Sequence, residues 1–231
     1  MRSPLLPTRW EAARRCFVDV ASGRQLAGIT ELLRSEFYPD YTPVRLRSAS
    51  ASRGGGGPSV SGSRRGTLVD SEVAQAVNEG RPPRHAYTRL LFSALARAGL
   101  TPLAAQVPVG DPGSALGTGV DLVCSRRGAL YVLELKTGWN SVAYDSGSRR
   151  MRVLGGLQDS PRNQHLLQLL VTRYLFRATF GLQTCNAAVV RVSDDGVRFY
   201  KLSDSFLALE ATVVRALTAR VQAARAAARV V

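Results

Sequence analysis

The stretch that could do chemistry is Gly119-Val-Asp121-Leu-Val-Cys-Ser-Arg-Arg-Gly-Ala-Leu-Tyr-Val-Leu-Glu134-Leu-Lys136. Its charged residues stand inside apolar, strand-like runs, where an unpaired buried charge costs several kcal/mol. Side chains alternate along a strand, so Val132, Glu134 and Lys136 share a face. A hairpin turning about Arg126-Arg127 sets Asp121 opposite Val132 and brings its carboxylate onto that face. Asp121, Glu134 and Lys136 then form one cluster at the end of a hairpin. Two carboxylates so close repel unless something positive lies between them, and a hard divalent cation with oxygen ligands, Mg²⁺ or Mn²⁺, does this. A lysine two residues on can hydrogen-bond an activated water and stabilise charge developing on phosphate. The competing reading is a surface ion pair on an edge strand. Lysine scarcity weakens it: of 31 basic residues only Lys136 and Lys201 are lysine.

These residues need a framework. From residue 85 onward the pattern reads α-β-β-β-α-β-β-α: helix 85–98 entered through Pro82-Pro83, strand 103–109, strand 119–125, strand 129–137, helix 163–179 stopped by Gly181, strand 184–193, strand 197–202 and helix 205–229. Asp194-Asp195-Gly196 marks a hairpin turn between the last two strands. The order describes a mixed sheet flanked by helices, an α/β architecture. Before it, residues 69–78 read as a short helix. Residues 42–66, rich in Ser, Gly and Arg, read as a flexible linker that includes Arg53-Gly-Gly-Gly-Gly-Pro58. Residues 1–41 read as an N-terminal helical extension with helices near 8–20 and 25–37. Its five arginines up to Arg24 also resemble a mitochondrial transit peptide, whereas Glu11, Asp19, Glu31 and Glu36 favour a helical lobe.

Asp121, then Glu134-Leu-Lys136, then a helix bearing glutamine resembles the PD-(D/E)XK nuclease superfamily, in particular its RecB-like and phage lambda exonuclease-like branch. The resemblance covers about residues 67–202, placing the nuclease domain at 67–231. It implies a restriction-endonuclease-like α-β-β-β-α-β core, with Asp121 and Glu134 as the motif acids, Lys136 as the motif lysine and the Leu135 carbonyl as a further metal ligand. It also implies a glutamine on the following helix: Gln168 is favoured because Leu and an apolar run follow it, with Gln164 one turn earlier on the same face. Val120 stands where the motif has proline. For a third acidic or histidine ligand the candidates are Asp70, Glu72, Glu79 and His85, and no pattern selects among them. Arg149, Arg150 and Arg152 flank the proposed site as candidate phosphate contacts, and Trp139 or Tyr144 as base-stacking residues. His165 among leucines reads as a packed or helix-surface histidine, and His85 as a local cap.

Composition agrees with this class and narrows it. In 231 residues, 31 basic against 17 acidic side chains give a net charge of +14, which favours a polyanionic partner, DNA in this reading. No apolar run reaches the length of a membrane span. Cys16, Cys124 and Cys185 are too scattered for a disulfide framework or a zinc site, which favours an intracellular setting, whether nucleus, cytoplasm or mitochondrion. Two histidines give no Ser-His-Asp arrangement, and Gly54–Gly57 lacks the Gly-Lys-Ser/Thr of a phosphate loop. The function implied is a metal-dependent deoxyribonuclease, an exonuclease of recombination, repair or genome processing. The alternatives are a structure-specific endonuclease and an inactive nucleic-acid-binding module on the same fold. No residue pattern specifies an oligomeric state.

Overall fold

The computed structural model describes residues 6–38, 62–137, 144–147, 149–154 and 156–228. In chain order the elements are strands β1 (Thr8–Glu11), β2 (Cys16–Asp19) and β3 (Gln25–Gly28), and helices α1 (Ile29–Phe37), α2 (Gly62–Asn78) and α3 (Ala86–Arg97). Next come β4 (Thr101–Asp111), β5 (Leu116–Arg126), β6 (Ala129–Thr137) and α4 (Pro161–Phe180). The chain continues with β7 (Asn186–Ser193), β8 (Gly196–Lys201), α5 (Asp204–Leu207) and α6 (Glu210–Ala227). All eight strands join one mixed sheet in the order β1-β2-β3-β5-β6-β7-β8, with β4 paired along β5. The expected mixed sheet flanked by helices is therefore present.

The N-terminal expectation fails. Residues 8–20 form a β-hairpin rather than a helix, and only Ile29–Phe37 of the supposed helical extension is helical. Ala12 to Arg15, read as helix formers, make the turn, with Arg15 at φ 49°. Tertiary contact explains the override of local propensity. Phe17 and Leu26 lie over Gly117, where an added Cβ would come within 2.8 Å of Phe17 Cβ. A second correction concerns residues 62–66, which begin α2 instead of ending a linker; residues 39–61 lie outside the described residues.

Two core layers clamp the sheet. Val123, Val132 and Val189 face α1, α4 and α6, where Leu33, Leu167, Leu170 and Val213 complete one layer. Leu122, Leu133, Leu135 and Val190 face α2 and α3, meeting Val73, Leu91 and Leu95. Strand alternation accounts for this split. It breaks at one place: Ala105 and Val107, two apart, pack into different layers, as do Leu122 and Val120. Between the first pair Gln106 takes φ 55°, in the left-handed region, which bends the strand without breaking its register with β5.

Helix ends are sharply set. Ser160 caps α4 by accepting from Asn163 N–H at 3.3 Å, Pro161 sits in its first turn, and Gly181 closes it at φ 64°. His85 caps α3, its Nδ1 accepting from Tyr87 N–H at 3.3 Å.

Candidate active site

The β5–β6 hairpin turns through Arg127-Gly128, at φ 50° and 79°, so Arg126 pairs with Ala129 and Leu122 with Leu133. Both positive φ values identify a type I′ turn. This is one residue later than expected, and a one-residue shift of a turn moves every cross-strand partner by two. Continuing the register, Asp121 faces Glu134, not Val132. A shift of two preserves the face, so the three-residue cluster survives the correction. Beyond Leu133 the pairing of β6 to β5 ends while β6 stays paired to β7 through Thr137. The strands fork, opposite the bend at Gln106, and the acids stand at that fork.

The fork replaces the missing ladder bonds with side chains. Asp121 Oδ2 accepts the Leu135 N–H at 2.8 Å. Glu134 is 1% exposed, and its Oε1 accepts from both Lys136 Nζ and Gln168 Nε2, each at 2.6 Å. Glu134 Oε2 is buried without a hydrogen-bond partner. Asp121, Glu134, Lys136, Gln164, Gln168 and the Leu135 backbone position line one cleft of about 280 Å³. Thr30, Arg34 and Tyr38 wall it on the α1 side, Asp70 on the α2 side, and His165 on α4.

The two glutamines part company. Gln168 reaches Glu134, whereas the Gln164 amide donates to Asp159 Oδ1 at 2.8 Å and its backbone carbonyl accepts from Tyr38 O–H at 3.1 Å. Arg149, Arg150 and Arg152 are exposed and do not line the cleft. Arg152 docks on the end of α1 instead, its N–H donating to the Phe37 carbonyl at 2.8 Å. Trp139 lies outside the described residues. Tyr144 is buried, its hydroxyl 3.1 Å from His165 Nδ1 and its ring beside Tyr200, so it is no surface for a base. Glu72 accepts the backbone N–H groups of Arg84 and His85, which occupies it with closing the α2–α3 loop.

The electrostatics are those of crowded acids. Burial pushes the Glu134 carboxyl up, Asp121 pushes it further, and Lys136 opposes both. Burial likewise raises Asp121 against Lys136, the Leu135 N–H and the Gln106 amide. Asp70 rises to about 7 through burial and the nearby Asp121. Burial would pull the Lys136 ammonium down, but Glu134 and Asp121 outweigh it and hold it protonated. His165 is driven well below its usual range by burial and by the charges of Lys136 and Arg34, so it is neutral at pH 7.

Among the described residues no three His, Cys, Asp or Glu side chains converge closely enough to hold a metal by themselves. The donor set nevertheless fits a hard divalent cation. Two facing carboxylates, one with an orphaned buried oxygen, suffice for Mg²⁺, which keeps several waters and takes one or two protein carboxylates. Sequence reasoning missed Gln106, Arg34 and Tyr38, and had no signal for Asp70 over three other candidates. Arg34, Tyr38 and Asp70 reach the cleft through the packing of α1 and α2 on the sheet, and Gln106 meets Asp121 from the bend in β4.

No family model and no curated protein sequence matches the chain. Among solved structures, one described as the crystal structure of SSO0001 aligns at 16% identity and TM-score 0.34, covering 85% of this chain and 76% of that one. The structure of LHK-Exo in complex with dAMP aligns at 15% identity and TM-score 0.36, covering 75% and 89% respectively. Likenesses this weak leave the site's own geometry to carry a functional reading. No described helix is long and apolar enough to cross a membrane.

Proposed function

We propose that this protein is a metal-dependent deoxyribonuclease that hydrolyses DNA phosphodiester bonds, acting as an exonuclease in recombination, repair or genome processing on a restriction-endonuclease-like core. One observation carries the reading: at the fork of β5 and β6, Asp121 and Glu134 stand on facing positions with Lys136 and Gln168 converging on the second acid. A merely structural ion pair needs neither the second carboxylate nor the orphaned oxygen.

Asp121, Glu134 and the Leu135 carbonyl would hold Mg²⁺ or Mn²⁺, which when bound supplies Lewis-acid polarisation of the scissile phosphate and eases ionisation of water. Lys136 keeps a fixed positive charge beside the reacting phosphate, donates to the attacking water and stabilises the charge that develops. Gln168 holds the Glu134 carboxylate in one orientation, so less reorganisation is left for the reaction. Asp121 is braced by the Leu135 N–H, which ties its position to the strand it faces. Arginines across the surface supply phosphate contacts, so affinity falls steeply with salt. Among the described residues no side chain lining the cleft is placed as a reader of base edges, and cleavage independent of sequence is expected.

End-labelled linear and closed circular DNA, single- and double-stranded, incubated with Mg²⁺, Mn²⁺ or EDTA, test this with wild type and Lys136→Ala in parallel. Metal-dependent loss of linear DNA alone, abolished by the substitution, supports an exonuclease. Cutting of circles redirects the reading to an endonuclease. No cleavage, with DNA bound equally well in EDTA, leaves a nucleic-acid-binding module.

A further inference from the structure

The end of the sheet remote from the fork holds a second and larger cavity, of about 550 Å³. It lies where β5 and β8 end and β6 and β7 begin, as the strand directions require. Its walls are more apolar than polar, with Leu100, Tyr131, Leu133, Phe199 and Leu207 among the lining residues. Three cations line it, Arg126 and Lys201 exposed and Arg173 half-buried, and among the described residues no carboxylate does. Arg173 is rigidly held, its Nε donating to the Cys185 carbonyl at 3.0 Å and its Nη1 to Glu210 at 2.7 Å. Lys201 is the second of the two lysines in the chain. A pocket of this size, largely apolar with a few polar groups at its rim, matches the usual make-up of a small-molecule site.

We propose that this cavity binds a small organic anion whose apolar or aromatic body lies against Tyr131, Leu133 and Phe199 and whose acidic group is drawn by the basic side chains at its rim, Arg126 and Lys201. The sign of the charge follows from the lining: a cation would meet the like charges of Arg126 and Lys201, whereas Arg173 is already paired with Glu210. The apolar body follows from the walls, which a bare phosphate would leave wet. A nucleoside monophosphate and a medium-chain carboxylate share this chemistry. The inference stands apart from the nuclease reading, since Leu133 and Glu134 point to opposite faces of β6.

The full chain is titrated with 8-anilinonaphthalene-1-sulfonate, an aromatic sulfonate of this class, and its fluorescence followed. Saturable binding at one site is expected, weakened about tenfold by Lys201→Glu and by Arg126→Glu, both at exposed positions, and unchanged in Lys136→Ala. Occupancy is read independently at Cys185, which lines the cavity: the bound probe slows its maleimide modification and leaves Cys16 and Cys124, which are buried elsewhere, unaffected. Displacement by AMP assigns the site to nucleotides, and displacement by decanoate to acyl carboxylates. Lack of saturation, equal affinity in both charge-reversed variants, or failure of both competitors overturns the proposal.

Discussion

Glu210 and Glu134 each receive two nitrogen donors, and the difference between them separates structure from chemistry. Glu210, at the start of α6, takes Arg173 at 2.7 Å on one oxygen and Arg177 at 2.6 Å on the other, tying α6 to α4. Both its oxygens are used and its charge is more than balanced. Glu134 takes Lys136 and Gln168 on a single oxygen, leaves the other orphaned, and faces a second carboxylate. A carboxylate whose two oxygens are each held by a guanidinium has little left to offer a ligand. One that is buried, crowded and half-satisfied is costly to maintain, and such costs are characteristic of functional sites.

This contrast can be broken by experiment. The largest effect is expected at the fork: Lys136→Ala or Glu134→Gln lowers metal-dependent cleavage on the order of 10²–10³-fold or more, measured as single-turnover rates on labelled DNA. A variant retaining wild-type rates would remove its own residue from the chemistry. At Glu210 the effect falls on stability instead. Glu210→Ala strands two half-buried arginines and costs about 1–3 kcal/mol, a buried-pair loss discounted for partial exposure, read from urea midpoints, while cleavage per folded molecule stays unchanged.

The two glutamines sharpen the same distinction. Gln168→Leu should cost cleavage about tenfold, the size of one lost hydrogen bond at a reacting group. Gln164→Leu, whose amide is committed to Asp159, should cost far less. Equal losses would show that the bond to Glu134 is not what matters.

The smallest effect is on pH. Glu134, Asp121 and Asp70 all carry raised folded-state values, the last near 7, so between the ordinary carboxylate range and about 7 the folded state binds more protons than the unfolded. Stability from this cluster is therefore fully present at acid pH and lost as pH rises through that window. In thermal melts without divalent metal the midpoint should drop as pH rises across it, and Mg²⁺ should restore more of the loss above pH 7 than below. A Glu134→Gln variant with an undiminished slope would place the linkage elsewhere.

How far the site was legible depends on which forces make it. Asp121, Glu134 and Lys136 stand out because charges interrupt apolar strands, and strand alternation alone puts the last two on one face. The turn was misplaced by a residue because Arg126, Arg127 and Gly128 all suit a turn. Only the left-handed pair Arg127-Gly128 matches the twist of the strands. Gln164 and Gln168 look equivalent on a helical wheel; the tilt of α4 across the sheet decides which amide meets Glu134. Residues 8–20 read as helix because Ala12, Ala13 and the flanking arginines are good helix formers. Pairing of Phe17 and Leu26 over a glycine-lined strand outweighs that preference.

Local pattern is enough for the order of strands and helices from α3 onward, for the shared face of Glu134 and Lys136 on β6 and for the identity of the charges that interrupt the strands. These follow from periodicity and burial cost, which act over a few residues. Only the tertiary structure decided that β5 and β6 part after Leu122, that Gln106 bends β4 opposite the fork, and that α1 and α2 bring Tyr38, Arg34 and Asp70 to the same cleft. Such placements depend on packing between segments far apart in the chain, and no local pattern encodes the direction from which a distant helix arrives.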